Sequence, residues 1–138
     1  MFWLEFTIIA ARTLIEIIFF AIGATIFSFL NVVIYRLPRH KGYVKGKSMC
    51  PKCTHTLYRK DLVPIISWIA LKGRCRYCGT KISVRYTIVE LLGGAAAVVF
   101  TMVLGINLWA LLAFLATGVV TVAVCIAYDM TRAKKSIQ

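Results

Sequence analysis

Acidic side chains are scarce in this chain. Five Asp and Glu stand against 17 Lys and Arg over 138 residues, a formal charge of +12. That surplus alone would suggest a nucleic-acid partner, but its distribution argues for none. Thirteen of the seventeen cations fall between Arg36 and Arg85, three more (Arg132, Lys134, Lys135) sit in the tail, and Arg12 stands alone near the front. The opening MFWLEF lacks a basic n-region and no A-x-A site follows, so no cleavable signal peptide is expected. No internal repeat or low-complexity tract is visible in the sequence, and one domain is the expectation at this length. No G-x-G-x-x-G loop follows a strand, which removes the commonest nucleotide-binding signature. What the chain has in excess is apolar residues, 60% of the total, above the level usual for soluble domains.

The apolar residues gather in three runs, roughly Ile8–Ile34, Ile88–Leu104 and Leu108–Ala127. Bilayer crossing needs about 20 such residues, so each run predicts a transmembrane helix. Leu37-Pro38-Arg39 ends the first, because proline cannot continue a helix and restricts the residue before it. Gly105-Ile106-Asn107 makes a very short turn between the second and third. Arg12 and Glu16, four apart, are placed to pair on one helix face. Gly23, Ser28 and Asn31 on the first run, and Gly93-Gly94 followed by three alanines on the second, suit close helix contact. Glu90 is expected in the first turn of the second helix, where the dipole favours a carboxylate. Basic segments between apolar spans mark the cytoplasmic side. By that rule the central loop and C-terminal tail are cytoplasmic and the N-terminus is outside. Within the loop, LVPIISWIAL (Leu62 to Leu71) is too short to span and suits an interfacial or re-entrant piece, with Asp61 as its cap, Pro64 in its first turn and Trp68 at headgroup level.

Four of the five cysteines form two C-x-x-C units, Cys50-Pro51-Lys52-Cys53 and Cys75-Arg76-Tyr77-Cys78, 21 residues apart. Two such units supply a tetrahedral four-thiolate shell for structural zinc. A redox pair, or unliganded or disulfide-linked cysteines, are the alternatives. A redox pair would want a thioredoxin-like βαβ setting, which is absent. Gly79 after the second pair suits a knuckle turn at positive φ. Lys52, Arg74, Arg76 and Lys81 would offset the thiolate charge. His55 reads as polar loop surface, and Cys125, inside the third run, as a small buried hydrophobe.

The stretch SFLNVVIYRLPR (Ser28 to Arg39) resembles the opening segment of type IV prepilin peptidases, the leader peptidase/N-methyltransferases. Ser48 to Gly94 resembles that family's zinc-binding module. The pattern D-x-x-P-x-x-S-W, G-x-C-x-x-C-G, I-S-x-R-Y and V-E-L-L falls here on Asp61, Pro64, Ser67, Trp68, Gly73, Cys75, Cys78, Gly79, Ile82, Ser83, Arg85, Tyr86, Val89 and Glu90. The resemblance implies an aspartic-type endopeptidase of the bacterial inner membrane that cuts basic leaders from prepilins and methylates the new N-terminus, with S-adenosylmethionine as the implied methyl donor and no residue assigned to it. The family uses two aspartates at cytoplasmic helix ends. Asp129 in CIAYDMTRAKKSIQ matches the first. The second belongs to a G-x-G-D motif that these 138 residues do not contain, and Ile137-Gln138 stands where Ile-Pro is usual. Thr87 replaces the proline after R-Y, and Phe27 the glycine before SFLN. The second carboxylate is therefore expected from a partner chain or a second copy, and the chain alone is expected to be inactive. A rival expectation is a non-catalytic, membrane-anchored zinc module that binds prepilins or pilus-assembly proteins. Together these readings give an all-α membrane protein: a first transmembrane helix (1–35), a cytoplasmic zinc-ribbon-like loop (36–87), and two further transmembrane helices with a short basic tail (88–138).

Overall fold

The computed structural model describes residues 2–39, 48–50 and 52–135. Lys41, Lys45, Lys47, Pro51, Ile137 and Gln138 lie outside the described residues. The order is α1 (Phe2–Arg36), α2 (Ile66–Ala70), α3 (Arg85–Leu104) and α4 (Leu108–Lys135), with 3-10 turns at Leu37–Arg39 and Arg59–Asp61. Among the described residues there is no strand. Three helices, α1, α3 and most of α4, are long and apolar enough to cross a membrane. Leu37–Arg39 leaves the α-helix as expected from its proline. All three long helices extend beyond their apolar runs, because polar and basic residues at the ends continue the hydrogen-bond ladder into water or headgroups. Asp129 therefore lies within α4 and not just past a helix end.

α1 packs chiefly on α3, with α4 lying against both. The α1 ridge is Ala24, Phe27, Asn31 and Ile34, spaced three and four apart as one helix face requires, with Gly23 beside Ala24 and four before Phe27. It meets Gly93 and Ala97 of α3, on a helix whose buried residues are Thr87, Val89, Glu90, Gly93, Gly94 and Ala97. Gly23 is needed there, since a Cβ on it would lie 2.7 Å from the Ala97 Cβ. A Cβ on Gly93 would lie 2.5 Å from the Phe27 Cβ. Small residues thus let the backbones close up, which is how helices pack where lipid supplies no hydrophobic drive. Phe27 and Ile34 are fully buried, and Phe27 also meets Phe114 of α4, ring centroids 5.5 Å apart. The Asn31 amide donates to the Tyr86 carbonyl at 3.0 Å, fixing the register of α1 on α3. Asn31 Oδ1 and Thr87 Oγ1 are buried beside it without a hydrogen-bond partner among the described residues.

The turn after α3 follows its sequence. Gly105 adopts φ +75°, a conformation open to glycine. Asn107 Oδ1 then accepts from the Ala110 N–H at 2.9 Å and caps α4. Arg12 Nε donates to Glu16 at 3.2 Å.

Candidate metal centre and the Asp129 junction

Each C-x-x-C unit is a tight knuckle, and the two are built alike. Thr54 N–H donates to the Cys50 carbonyl and Gly79 N–H to the Cys75 carbonyl, both at 2.9 Å. Cys50 N–H donates to His55 O at 3.0 Å, and Cys75 N–H to Thr80 O at 2.8 Å. Single antiparallel bridges, Met49 with Thr56 and Arg74 with Lys81, close both. Every one of these pairs recurs at an offset of 25 residues, so the loop does hold an internal repeat. Sequence inspection misses it because SMCPKCTHTL and GRCRYCGTKI share only their cysteines. The fourth residue after the first cysteine is left-handed in both, Thr54 at φ +55° and Gly79 at +69°. Gly79 was legible; Thr54 was not, because threonine rarely adopts that conformation.

The knuckles face each other, and the Sγ atoms of Cys50, Cys53, Cys75 and Cys78 all lie within 4.8 Å of one another. Cys50 Sγ and Cys78 Sγ are 3.8 Å apart, far beyond a disulfide bond of about 2.05 Å. A tetrahedral ion with metal–sulfur bonds of about 2.3 Å has an S–S edge of about 3.8 Å. The donors therefore fit a four-coordinate thiophilic metal. Cys50 and Cys75 are buried and Cys78 is exposed. The Thr80 hydroxyl, with its Oγ1 3.3 Å from Cys78 Sγ, and the Thr80 N–H pull the Cys78 thiol down to about 6. The Cys53 N–H lowers Cys50 against the effect of burial. At Cys53 the His55 N–H lowers the pKa, but burial and the competing Cys78 and Cys50 sulfurs outweigh it and push the thiol up to about 11. The quartet thus shares a few protons that a metal ion would displace.

Around the knuckles the D-x-x-P-x-x-S-W residues act as a frame. Asp61 does not cap α2. Its carboxylate accepts from Arg76 Nε at 2.7 Å, Tyr77 Oη at 3.0 Å and Tyr58 N–H at 3.2 Å. Its side chain is 2% exposed. Burial would raise its pKa, but the Arg76, Tyr58 and Tyr77 donors together hold it below the ordinary aspartate value. Arg76 thereby pairs with Asp61. His55 is exposed and packs on Tyr77, ring centroids 3.7 Å apart with the planes tilted by 30°. Ser67 Oγ donates to Val63 O. The Trp68 Nε1–H donates to Ile82 O at 3.3 Å, and the indole fills the space where Gly73, at φ +66°, would otherwise carry a side chain. Pro64 precedes α2 and does not enter its first turn. Glu90 is the sixth residue of α3, beyond the first turn, and its carboxylate leaves the helix to accept the Ile65 N–H at 2.8 Å.

Asp129 is the second feature. It is paired with the Arg85 guanidinium, both half-buried. Arg85 opens α3 and Asp129 lies near the end of α4, so antiparallel helices bring them to one end of the bundle, the end that carries the cysteine loop. The Arg85 partnership was missed, although the I-S-x-R-Y match had singled out that residue. The span count carried the signal, since it places the start of the second span beside the end of the third. Cys125 is half-buried in α4 and not buried as expected.

The profile of the bacterial peptidase A24 N-terminal domain matches residues 21–104. The chain belongs to that family. Similar curated proteins include a prepilin leader peptidase/N-methyltransferase of Myxococcus xanthus, 48% identical over 59% of this chain and 24% of the relative. Another, of Aeromonas salmonicida, is 33% identical over 92% of the chain and 49% of the relative, and one of Vibrio cholerae is 46% identical over 54% and 33%. The chain thus spans half or less of the length of these relatives. No solved structure matches it. The peptidase A24 profile covers both knuckles, α2 and all of α3; Asp129 lies beyond it.

Proposed function

We propose that this chain is the N-terminal part of an aspartic-type membrane endopeptidase that removes leaders from type IV prepilin-like substrates, with Asp129 as one of two catalytic carboxylates. The observation that carries the reading is the match of residues 21–104 to the peptidase A24 N-terminal domain, together with relatives named for prepilin leader processing. In such a pair one carboxylate takes a proton from water while the other, protonated, polarises the scissile carbonyl. The Arg85 contact supports the assignment of Asp129, because a carboxylate held at a helix junction is oriented in a way a loose surface group is not. The second carboxylate comes from outside these 138 residues. N-methylation with S-adenosylmethionine stays an implication of the family; no residue described here is assigned to it.

The metal is zinc and it is structural. Four thiolates close the shell, leaving no open position for water or substrate. Its work is to hold the two knuckles together and with them the frame around Asp61 and Glu90. The loop and the basic C-terminal end face the cytoplasm and the N-terminus faces outward, in a bacterial inner membrane, as the concentration of cations between the spans supports.

The test is leader removal from a model prepilin co-expressed with the chain in a host lacking its own peptidase, beside Asp129→Ala. Asp129-dependent cleavage is expected once a second carboxylate is available. Cleavage equal in both removes Asp129 from the mechanism. Prepilin capture without cleavage, indifferent to Asp129→Asn, would mean a docking module.

A further inference from the structure

The cysteine loop carries one apolar face that no described residue covers. Leu62, Val63, Ile66 and Ile69 are all exposed, Ile66 at 66% and Ile69 at 62%. Exposed Arg59, Lys60 and Lys72 flank it, and Arg59 and Lys60 line a shallow open groove with Tyr58. An apolar patch with a cationic rim fits either a protein or a membrane surface. Its depth decides between them.

The position of Glu90 sets that depth. Glu90 lies five residues into α3, about 7.5 Å along the helix axis from Arg85. Its carboxylate holds the N–H of Ile65, the residue immediately before α2. Tyr35, Tyr86 and Tyr128 stand near the ends of α1, α3 and α4 at this side of the bundle, and Trp3 and Trp109 near the opposite ends. Such aromatics mark the headgroup levels of a bilayer. Glu90 is about 6 Å deeper than Tyr86, so α2 begins inside the membrane boundary. The connection is held against local preference. Ile65, a β-branched residue, sits at φ +63° in a tight turn closed by Ile66 N–H to Pro64 O at 2.5 Å. Backbone strain of this kind persists where surroundings over-determine it.

We propose that the face formed by Leu62, Val63, Ile66 and Ile69 is seated in the headgroup–acyl boundary of the bilayer that the long helices cross, with Arg59, Lys60 and Lys72 on the phosphates of anionic lipids and Glu90 as the tether. Interfacial helices bury their apolar face about 5–10 Å into that boundary, the depth at which the Glu90 carboxylate holds the segment. The outward residues of α3 at this level, Ile88, Leu91 and Leu92, are exposed and face lipid in a helix that crosses the bilayer, so the same lipid serves α2 and no further partner has to be recruited. The basic rim complements an anionic leaflet.

The experiment uses the full, metal-loaded chain in nanodiscs of equal phosphatidylcholine and phosphatidylglycerol. The photo-crosslinker p-benzoylphenylalanine replaces Ile66 or Ile69, with Lys52 in the first knuckle as the control site, and products are read by intact mass. Illumination at Ile66 and Ile69 should add one phospholipid, enriched in phosphatidylglycerol; Lys52 should add none. Glu90→Ala should cut the adducts severalfold, while Glu90→Gln, which keeps an acceptor for Ile65, should retain them. Arg59→Gln with Lys60→Gln should reduce the phosphatidylglycerol enrichment by about tenfold and leave total lipid adducts in place. Adducts at Ile66 and Ile69 no more frequent than at Lys52 would overturn the proposal, as would crosslinks to a second copy or another protein in their place.

Discussion

Replacing Cys75 by serine removes one of four ligands and leaves the backbone of its knuckle intact. The geometry sets the size of the effect. The Cys50–Cys78 sulfur separation of 3.8 Å equals the edge of a zinc–thiolate tetrahedron, about 3.8 Å, and all four sulfurs lie within 4.8 Å of one another, so all four can ligate one ion. Structural zinc contributes about 10–16 kcal/mol to small modules of this kind. One thiolate in four then carries about 3 kcal/mol, a loss in affinity of about a hundredfold. Metal content of the purified chain, measured by mass spectrometry and by competition with a chromophoric chelator, reads this directly. Burial offers a control. Cys75 is buried and Cys78 exposed, so a purely packing role would make Cys75→Ser damaging and Cys78→Ser harmless. Ligation makes both lose metal to a similar degree. Full stoichiometry and unchanged chelator resistance in either variant would refute the four-thiolate assignment.

Two further predictions concern the frame of the loop. Asp61 has a depressed pKa, so its stabilising contribution is fully present above the unfolded aspartate value of about 3.9 and is lost only as pH falls through the lower folded value. The difference in loop hydrogen-exchange protection between the native chain and Asp61→Asn should therefore stay constant between pH 7 and 5; a gap that closes within that range would contradict the Arg76–Tyr77–Tyr58 account. Thr54→Gly should stabilise the first knuckle by about 1 kcal/mol, by relieving a left-handed threonine; thermal release of the metal at lower temperature in that variant would count against the paired-knuckle description.

The apolar runs announced the three helices, and the small residues on them announced the contact. Gly23 and Gly93 pack as their sequence setting suggests, because no larger side chain permits that approach. The cysteine quartet was equally legible, since two C-x-x-C units have few other uses in a basic loop. What escaped was everything set by tertiary pairing. Asp61 reads as a cap for α2 from its neighbours, yet Arg76 and Tyr77 of the second knuckle claim it together with the Tyr58 N–H of its own 3-10 turn. Glu90 reads as a dipole partner of its own helix and instead tethers α2. The knuckle repeat is carried by backbone hydrogen bonds, which tolerate almost any side chain between the cysteines. Arg85 and Asp129 are 44 positions apart, and only the antiparallel arrangement of α3 and α4 joins them.

Cleavage by the purified chain, reconstituted with a partner segment carrying G-x-G-D, tests the central claim most directly. With a model prepilin as substrate, kcat/KM should fall at least about a thousandfold in Asp129→Asn, as for removal of a catalytic group, with metal content unchanged. A loss of less than about tenfold, under 1.4 kcal/mol of transition-state stabilisation, would contradict the assignment of Asp129 to the catalytic pair.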